Sequence, residues 1–141
     1  DGRKMSVDKT ETYSFTDGTG TNQCGAFYRS DARALAATNE TLDLDALTDW
    51  KGATMTDNNA AKVVFFKNKS TTTAQVLTVG GGDFSSPFAD PSDKITIGPS
   101  GIMLLVNPID GYPIVASTGD GLLVAHSATS TYDIFLALDN A

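Results

Sequence analysis

The stretch KVVFFKNKSTTTAQVLTVGGGDFSSPF (62–88) decides the fold class of this chain, because it consists of strand-forming residues and turns. Within and around it, AKVVFFKN (61–68) predicts a buried strand with a lysine near each end. The segment AQVLTVG (74–80) alternates between two faces, as a second strand would. The residues STTT (70–73) between them predict a short turn, so we expect the two strands to form a hairpin.

Strand-like segments continue on both sides of this stretch. Upstream, we expect one strand around Tyr13 and Phe15, a second over CGAFYR (24–29), and a third in ETLDLDALTDWKGATM (40–55) that runs into a helical turn or a loop. Downstream, short turns separate five more segments: DKITIGP (93–99), GIMLLVN (101–107), YPIVAS (112–117), GLLVAHS (121–127) and TYDIFLAL (131–138). Roughly nine or ten short strands with frequent turns predict an all-β fold, an antiparallel β-sandwich or a jelly-roll-like barrel.

The chain has the length of one domain. Its 141 residues suffice to bury a core without disulfides or metals, and no linker divides them. The first residues are polar up to Tyr13. We therefore expect a flexible N-terminal arm over residues 1–12 and a single β-sandwich domain over residues 13–141.

Charge excludes one class of partner, and hydropathy argues against another. The formal net charge is −7, whereas phosphate-backbone binding depends on clustered Lys and Arg. No apolar run approaches the roughly 18 residues that predict a membrane-spanning helix. We expect neither nucleic acid nor membrane as a partner.

The residues that most often carry catalysis are scarce. His126 is the only histidine and Cys24 the only cysteine, so neither a disulfide within the chain nor a cysteine metal site is expected. No G-x-S-x-G elbow accompanies His126, which we expect to be partly exposed at a strand end. A lone cysteine is usually an inert small hydrophobe and is typical of a protein made in a reducing cytoplasm. We therefore predict no enzyme activity and no cofactor.

Carboxylates are numerous, but their spacing matches no known site. On a strand, Asp43 and Asp45 would share one face, which a solvated acidic surface explains as well as an acid–base pair does. Asp83, Asp90 and Asp93 fall in the Gly-rich loop GGGDFSSPFADPSD (80–93), where Ca²⁺ binding and ordinary turn chemistry both remain open.

Read as ordered landmarks, residues 40–138 resemble a small β-domain found among uncharacterised virion proteins of tailed bacteriophages. The landmarks are ETLDL near residue 40, LTDWKGATMT (47–56), KVVFFKNKS (62–70), LTVGGG (77–82), ITIGPSGIMLLVNP (95–108), GYPIVASTGDGLLV (111–124) and TYDIFLAL (131–138). The resemblance implies a β-sandwich in the virion and no catalytic residue. It implies a capsid decoration (cement) protein on the head, or else part of a fibre or tail.

A decoration protein would be made in the host cytoplasm and sit on the head surface, with the major capsid protein as its partner. Because virion positions are symmetric, we expect a homo-oligomer, with a trimer at a local three-fold favoured. The alternative is a fibre or tail domain that recognises a cell-surface glycan with aromatic residues, for which the candidates are Trp50, Phe84 and Tyr112.

Contacts with partners are expected from segments that the core does not need. The arm is expected to drape over a neighbouring subunit and gain order on binding. The loop aromatics have two open interpretations, a binding patch or side chains that fold back to cap the sandwich. Trp50 likewise fits a core plug or an interface. The predicted interface residues are Arg3, Lys4, Met5, Val7, Trp50, Phe84, Pro87 and Phe88.

Overall fold

A computed structural model describes residue 4 and residues 6–35, 39–49 and 51–140, with the backbone alone at Asn140. These residues form nine strands and contain no helix. The strands are β1 (Ala26–Ala34), β2 (Asn39–Asp43), β3 (Asn58–Asn68), β4 (Leu77–Gly80), β5 (Lys94–Ile97), β6 (Ile102–Val106), β7 (Tyr112–Pro113), β8 (Gly121–His126) and β9 (Thr131–Asn140).

The strands make two antiparallel sheets. The larger sheet has the order β1-β9-β3-β6, and the short β7 pairs with β3 beside β6. The smaller sheet has the order β2-β8-β4-β5. The predicted all-β sandwich is confirmed, and the sheets do not close into a barrel.

The core lies between the two sheets because each strand alternates its side chains. On β3, Val64 and Phe66 point inward and are fully buried, and on β8 Leu122 and Val124 do the same from the opposite sheet. The rings of Phe66 and Tyr132 stack with centroids 5.7 Å apart. Burial of these apolar side chains is the main source of stability.

The predicted hairpin between β3 and β4 is wrong. The two strands belong to different sheets, because β3 pairs with β6, β7 and β9, whereas β4 pairs with β5 and β8. The connection after Asn68 therefore crosses the sandwich. A polar network supports the crossing, since the Ser70 hydroxyl donates to Gln75 Oε1 at 2.6 Å and the Asn68 amide donates to the Gln75 carbonyl at 2.9 Å.

Two smaller expectations also change, and a third, which left a helical turn and a loop open, is decided. Tyr13 and Phe15 lie in no strand. Their segment makes one isolated β-bridge, between Thr16 and Gln23. The segment YPIVAS contributes only the two-residue β7. A turn follows β2, at residues 44–45, and contains no helix.

The Gly-rich loop folds back on the sandwich instead of projecting from it. Phe84 and Phe88 are buried at 1% and 7% exposure and belong to the main core. Gly80 adopts a φ of +108°, and a Cβ there would lie 2.6 Å from the Asp93 carbonyl oxygen, so a side chain would block the approach of β5. The loop residues Phe84 and Phe88 therefore cap the core, which is one of the two interpretations that the sequence left open.

Candidate functional site

The candidate site is the outer surface of the larger sheet, where strands carry apolar residues on the side that faces away from the core. On β3, Val63 and Phe65 point outward between the inward Val64 and Phe66. Strands that are apolar on both faces normally lie between two covering layers. Among the described residues, the smaller sheet covers only the inner face of the larger sheet, and the segment around Phe15 covers part of the outer face.

Strand register aligns the outward residues in rows across the sheet. One row runs from Phe27 through Ala137 and Val63 to Val106. The next runs from Arg29 through Phe135 and Phe65 to Leu104. We call the apolar members of these rows the outer apolar face: Phe27, Val63, Phe65, Leu104, Val106, Phe135 and Ala137.

The outer apolar face forms an open groove of about 580 Å³. The groove is lined by these seven residues together with Tyr13 and Phe15, which enter it from the segment before β1. The Phe27 and Phe135 rings stack with their centroids 6.0 Å apart and form part of its floor. Leu104 at its margin is 56% exposed, and Ile102 in the next row of β6 is 60% exposed.

Charged residues of both signs border the outer apolar face at one end. In the next row Lys67 lies opposite Asp133, and Arg29 contacts Asp31 along β1 at 2.8 Å. Lys69 Nζ also lies 3.5 Å from Asp133 Oδ2. We call Arg29, Asp31, Lys67 and Asp133 the charged border; these four residues carry equal numbers of positive and negative charges.

A buried ion pair lies under the other end of the sheet. Lys62, which is 2% exposed, places its Nζ 3.4 Å from Asp139 Oδ2 and donates to the Ile109 carbonyl at 2.7 Å. Asp139 Oδ1 is buried without a hydrogen-bond partner among the described atoms.

Burial, together with the charges of Asp139 and Asp17, raises the pKa of Cys24 to about 11. The Cys24 thiol is therefore protonated and poorly nucleophilic.

His126 is part of the structural framework, and the prediction that it is partly exposed is wrong. It is 3% exposed, because it occupies the same side of β8 as Leu122 and Val124. Its Nδ1 accepts from the Ala128 N–H, and its Nε2 lies 3.2 Å from Asn68 Oδ1. Both ring nitrogens are engaged, and Cys24 packs in a separate apolar cluster on the outer side of the larger sheet. The structure does not bring these two residues together.

A second polar cluster ties the edges of the two sheets together. The Arg33 guanidinium on β1 makes two hydrogen bonds to Glu40 on β2, at 2.6 Å and 2.9 Å, and a third to the Tyr28 hydroxyl. The Tyr132 hydroxyl donates to Glu40 Oε1 at 2.6 Å. Burial and the Glu40 carboxylate together raise the pKa of Tyr132. The four side chains form hydrogen bonds with one another. We call this cluster the clamp, because it joins the β1 edge of the larger sheet to the β2 edge of the smaller one.

Three of the aspartates considered for acid–base or calcium chemistry, Asp43, Asp45 and Asp90, accept hydrogen bonds from backbone N–H groups. Asp45 Oδ1 accepts from the Asn58 N–H at 2.9 Å, and Asp43 Oδ1 accepts from the Asp45 N–H. In the Gly-rich loop, Asp90 Oδ1 accepts from both the N–H and the hydroxyl of Ser92. In the part of the chain that the structure describes, no group of three or more His, Cys, Asp and Glu side chains is placed to hold a metal ion.

The predicted interface residues fall into three groups. Arg3, Met5 and Trp50 lie outside the described residues. Lys4 and Val7 are exposed, Val7 at 94%. Phe84 and Phe88 are buried and Pro87 is partly buried, so this loop does not offer the predicted apolar patch.

The outer apolar face was not predicted from the sequence. The run VVFF in β3 indicates such a face, because it places apolar residues on both sides of one strand. The segments IMLLV and AFY have the same property. Alternation within one strand cannot tell which of two apolar faces is covered, and that answer depends on the partner sheet.

Comparison of the chain with protein-family models, curated proteins and solved structures finds no match. Over residues 4, 6–35, 39–49 and 51–140, the structure has no helix long and apolar enough to cross a membrane.

Proposed function

We propose that this chain is a non-enzymatic structural protein of a phage virion, a capsid decoration (cement) protein that binds the outside of the head and stabilises the shell through subunit contacts. The observation that carries the proposal is the outer apolar face, which the described residues cover only in part: Val63 and Ala137 are buried, whereas Leu104 is 56% exposed. Contiguous exposed apolar surface with a polar rim is typical of protein–protein contact sites. The likeness of residues 40–138 to virion β-domains is the second support.

The border of the face favours a protein partner. Arg29, Asp31, Lys67 and Asp133 present both signs of charge beside apolar residues, as the rim of a protein interface does. A nucleic acid or an anionic membrane would instead require a surplus of basic residues, and the chain carries a net charge of −7.

The alternative of glycan recognition has less support. Sites for small polar ligands combine apolar walls with a few placed hydrogen-bonding groups. Among the described residues, the Tyr13 hydroxyl is the one polar side-chain group that lines the groove. Phe84, a candidate sugar-stacking residue, is in the core at 1% exposure.

A structural role also agrees with the placement of the two residues considered for catalysis. His126 uses both ring nitrogens in hydrogen bonds that hold the sandwich together. Cys24 is 2% exposed, and its pKa of about 11 keeps the thiol protonated.

Binding to purified phage heads that lack this protein tests the proposal. Leu104→Glu places a charge in the outer apolar face, and Val115→Glu is its matched control, because Val115 lies outside the groove and is also 56% exposed. We expect wild type and Val115→Glu to co-sediment with heads and Leu104→Glu to show much lower occupancy. Failure of the wild-type chain to bind heads, or equal occupancy of the two variants, would contradict the proposal.

The arm provides a second test. Its described residues, 4 and 6–12, are exposed, and Lys9 and Glu11 form an ion pair with each other. We expect deletion of residues 1–12 to lower retention on heads while the thermal unfolding midpoint of the domain stays the same. Unchanged head occupancy would count against a role for the arm in attachment.

A further inference from the structure

The arm and the outer apolar face are complementary, and one chain carries both. Tyr13 and Phe15 already lie in the groove, and Val7 shares their side of an extended chain because the three residues have odd numbers. Val7 is 94% exposed, so it has almost no packing contact with the described residues of its own chain. The same molecule therefore carries an exposed apolar side chain, Val7, and a groove that Tyr13 and Phe15 fill only in part.

The described part of the arm does not fold into its own groove, since Val7 is 94% exposed. Residues 6–12, SVDKTET, form no turn and no strand in the structure. If extended, these seven residues span roughly 23 Å. The four paired strands of the larger sheet are only about 14 Å across, from three interstrand spacings. The arm is long enough to reach beyond its own sandwich.

The arm also has free backbone groups and charges that suit the acceptor. Among the described residues, the backbone of 6–12 forms no hydrogen bond with other backbone groups. Lys9 and Glu11 form an ion pair at 3.0 Å, two residues apart, as Arg29 and Asp31 do on β1. If the arm runs parallel to β1 with Val7 in the row of Phe65 and Leu104, Lys9 falls in the next row, beside Asp133, so opposite charges meet.

From these observations we propose that the outer apolar face binds the N-terminal arm of a second copy of this chain, with Val7 in the groove beside Phe65 and Leu104. This inference rests on the proposed function in that the face serves assembly. The contact joins two different surfaces, so it is heterologous, and it forms a ring when the rotation between successive copies closes. Such a ring agrees with the trimer expected from the sequence.

Two single variants and their mixture test the proposal by sedimentation velocity on the 141-residue chain. Val7→Glu damages the arm and leaves the groove intact, whereas Leu104→Glu damages the groove and leaves the arm intact. We expect the wild type to form a closed oligomer. We expect each variant to associate at least about tenfold more weakly, as the loss of one buried apolar side chain implies.

The equimolar mixture gives the decisive result. The intact arm of Leu104→Glu should enter the intact groove of Val7→Glu, so the mixture should form a one-to-one heterodimer and nothing larger. Val115→Glu is the control and should assemble like the wild type. Leu104→Thr retains strand propensity, and it should weaken assembly in the same direction if Leu104→Glu proves unstable in circular dichroism.

Other results would overturn the inference. A wild type that stays monomeric at tens of micromolar shows that no second copy binds. Weakening by Leu104→Glu with no effect of Val7→Glu indicates that sheets pack face to face or that another occupant fills the groove. Head binding is a separate readout: a monomer that binds heads refutes arm exchange alone, and an arm-exchanged oligomer that does not bind heads refutes the decoration function alone.

Discussion

Asn68 Oδ1 lies 3.2 Å from His126 Nε2, and this contact joins the last residue of β3 in the larger sheet to the last residue of β8 in the smaller one. The Ala128 N–H donates to His126 Nδ1, so Nε2 carries the hydrogen that it donates to Asn68. The same amide oxygen accepts from the Ser70 N–H, and the amide nitrogen donates to the carbonyls of Gln75 and Ile97. One buried side chain thus holds four partners.

Loss of the Asn68 amide should therefore destabilise the whole domain. Asn68→Ala leaves several buried polar groups without partners, and we expect the free energy of unfolding to fall by about 3 kcal/mol. Urea denaturation followed by tryptophan fluorescence measures the change. Asn59→Ala, on the exposed side of the same strand, is the control and should change stability by less than about 0.5 kcal/mol. Similar losses in the two variants would show that the network contributes little.

The burial of His126 could have been predicted from the sequence, but its contact with Asn68 could not. Leu122, Val124 and His126 share one parity on β8, and that alternation assigns His126 to the buried face. Asn68 is far from it in the sequence and lies in the opposite sheet. Strand existence followed from local alternation, whereas sheet membership depends on non-local pairing, which explains why a hairpin was expected where the chain crosses between sheets.

The Gly-rich loop stabilises the sandwich through its aromatic residues. Phe84 is 1% exposed, so Phe84→Ala removes buried apolar surface and leaves a cavity, and we expect a loss of about 3 to 4 kcal/mol in the free energy of unfolding. Ile109→Ala, at a residue that is 59% exposed, should cost less than about 0.5 kcal/mol. Equilibrium urea unfolding of both variants gives the comparison. A near-neutral Phe84→Ala would restore the interpretation of this loop as a contact patch.

The burial of Phe84 also shows why loop aromatics are hard to assign from sequence. A phenylalanine between glycines and prolines has no strand neighbours to fix its direction, so capping and binding were equally compatible with GGGDFSSPF. What decided the outcome is the backbone hydrogen bond from the Phe84 N–H to the Gly121 carbonyl, which draws the loop against β8. Conversely, Phe65 occupies a regular strand and yet faces outward into the groove.

The Cys24 thiol should react slowly in the folded protein. Its pKa of about 11, against an ordinary value of 9.0, lowers the thiolate fraction near neutral pH about hundredfold, and 2% exposure slows access further. Alkylation with iodoacetamide, followed by mass spectrometry, should therefore be at least about hundredfold slower in buffer than in urea at the same pH. Because the chain has no other cysteine, the signal is unambiguous. Equal rates would indicate that the thiol is accessible in the folded state.

The clamp between Arg33, Glu40 and Tyr132 should make stability depend on acid pH. Burial raises the pKa of Glu40, but the hydrogen bonds from Arg33 and Tyr132 outweigh it and lower the pKa below the ordinary 4.5. A depressed folded-state pKa means that the contribution of Glu40 is fully present above pH 4.5 and is lost as the pH falls through the folded-state value. Because the pair is partly exposed, solvent screening limits this contribution to about 1 kcal/mol.

Urea unfolding from pH 7 downward should show Glu40→Gln less stable than the wild type at neutral pH, with the two curves converging in acid. Glu11→Gln, on the exposed arm, should follow the wild type throughout. A Glu40→Gln deficit that stays constant with pH would mean that Glu40 acts through packing and not through its charge.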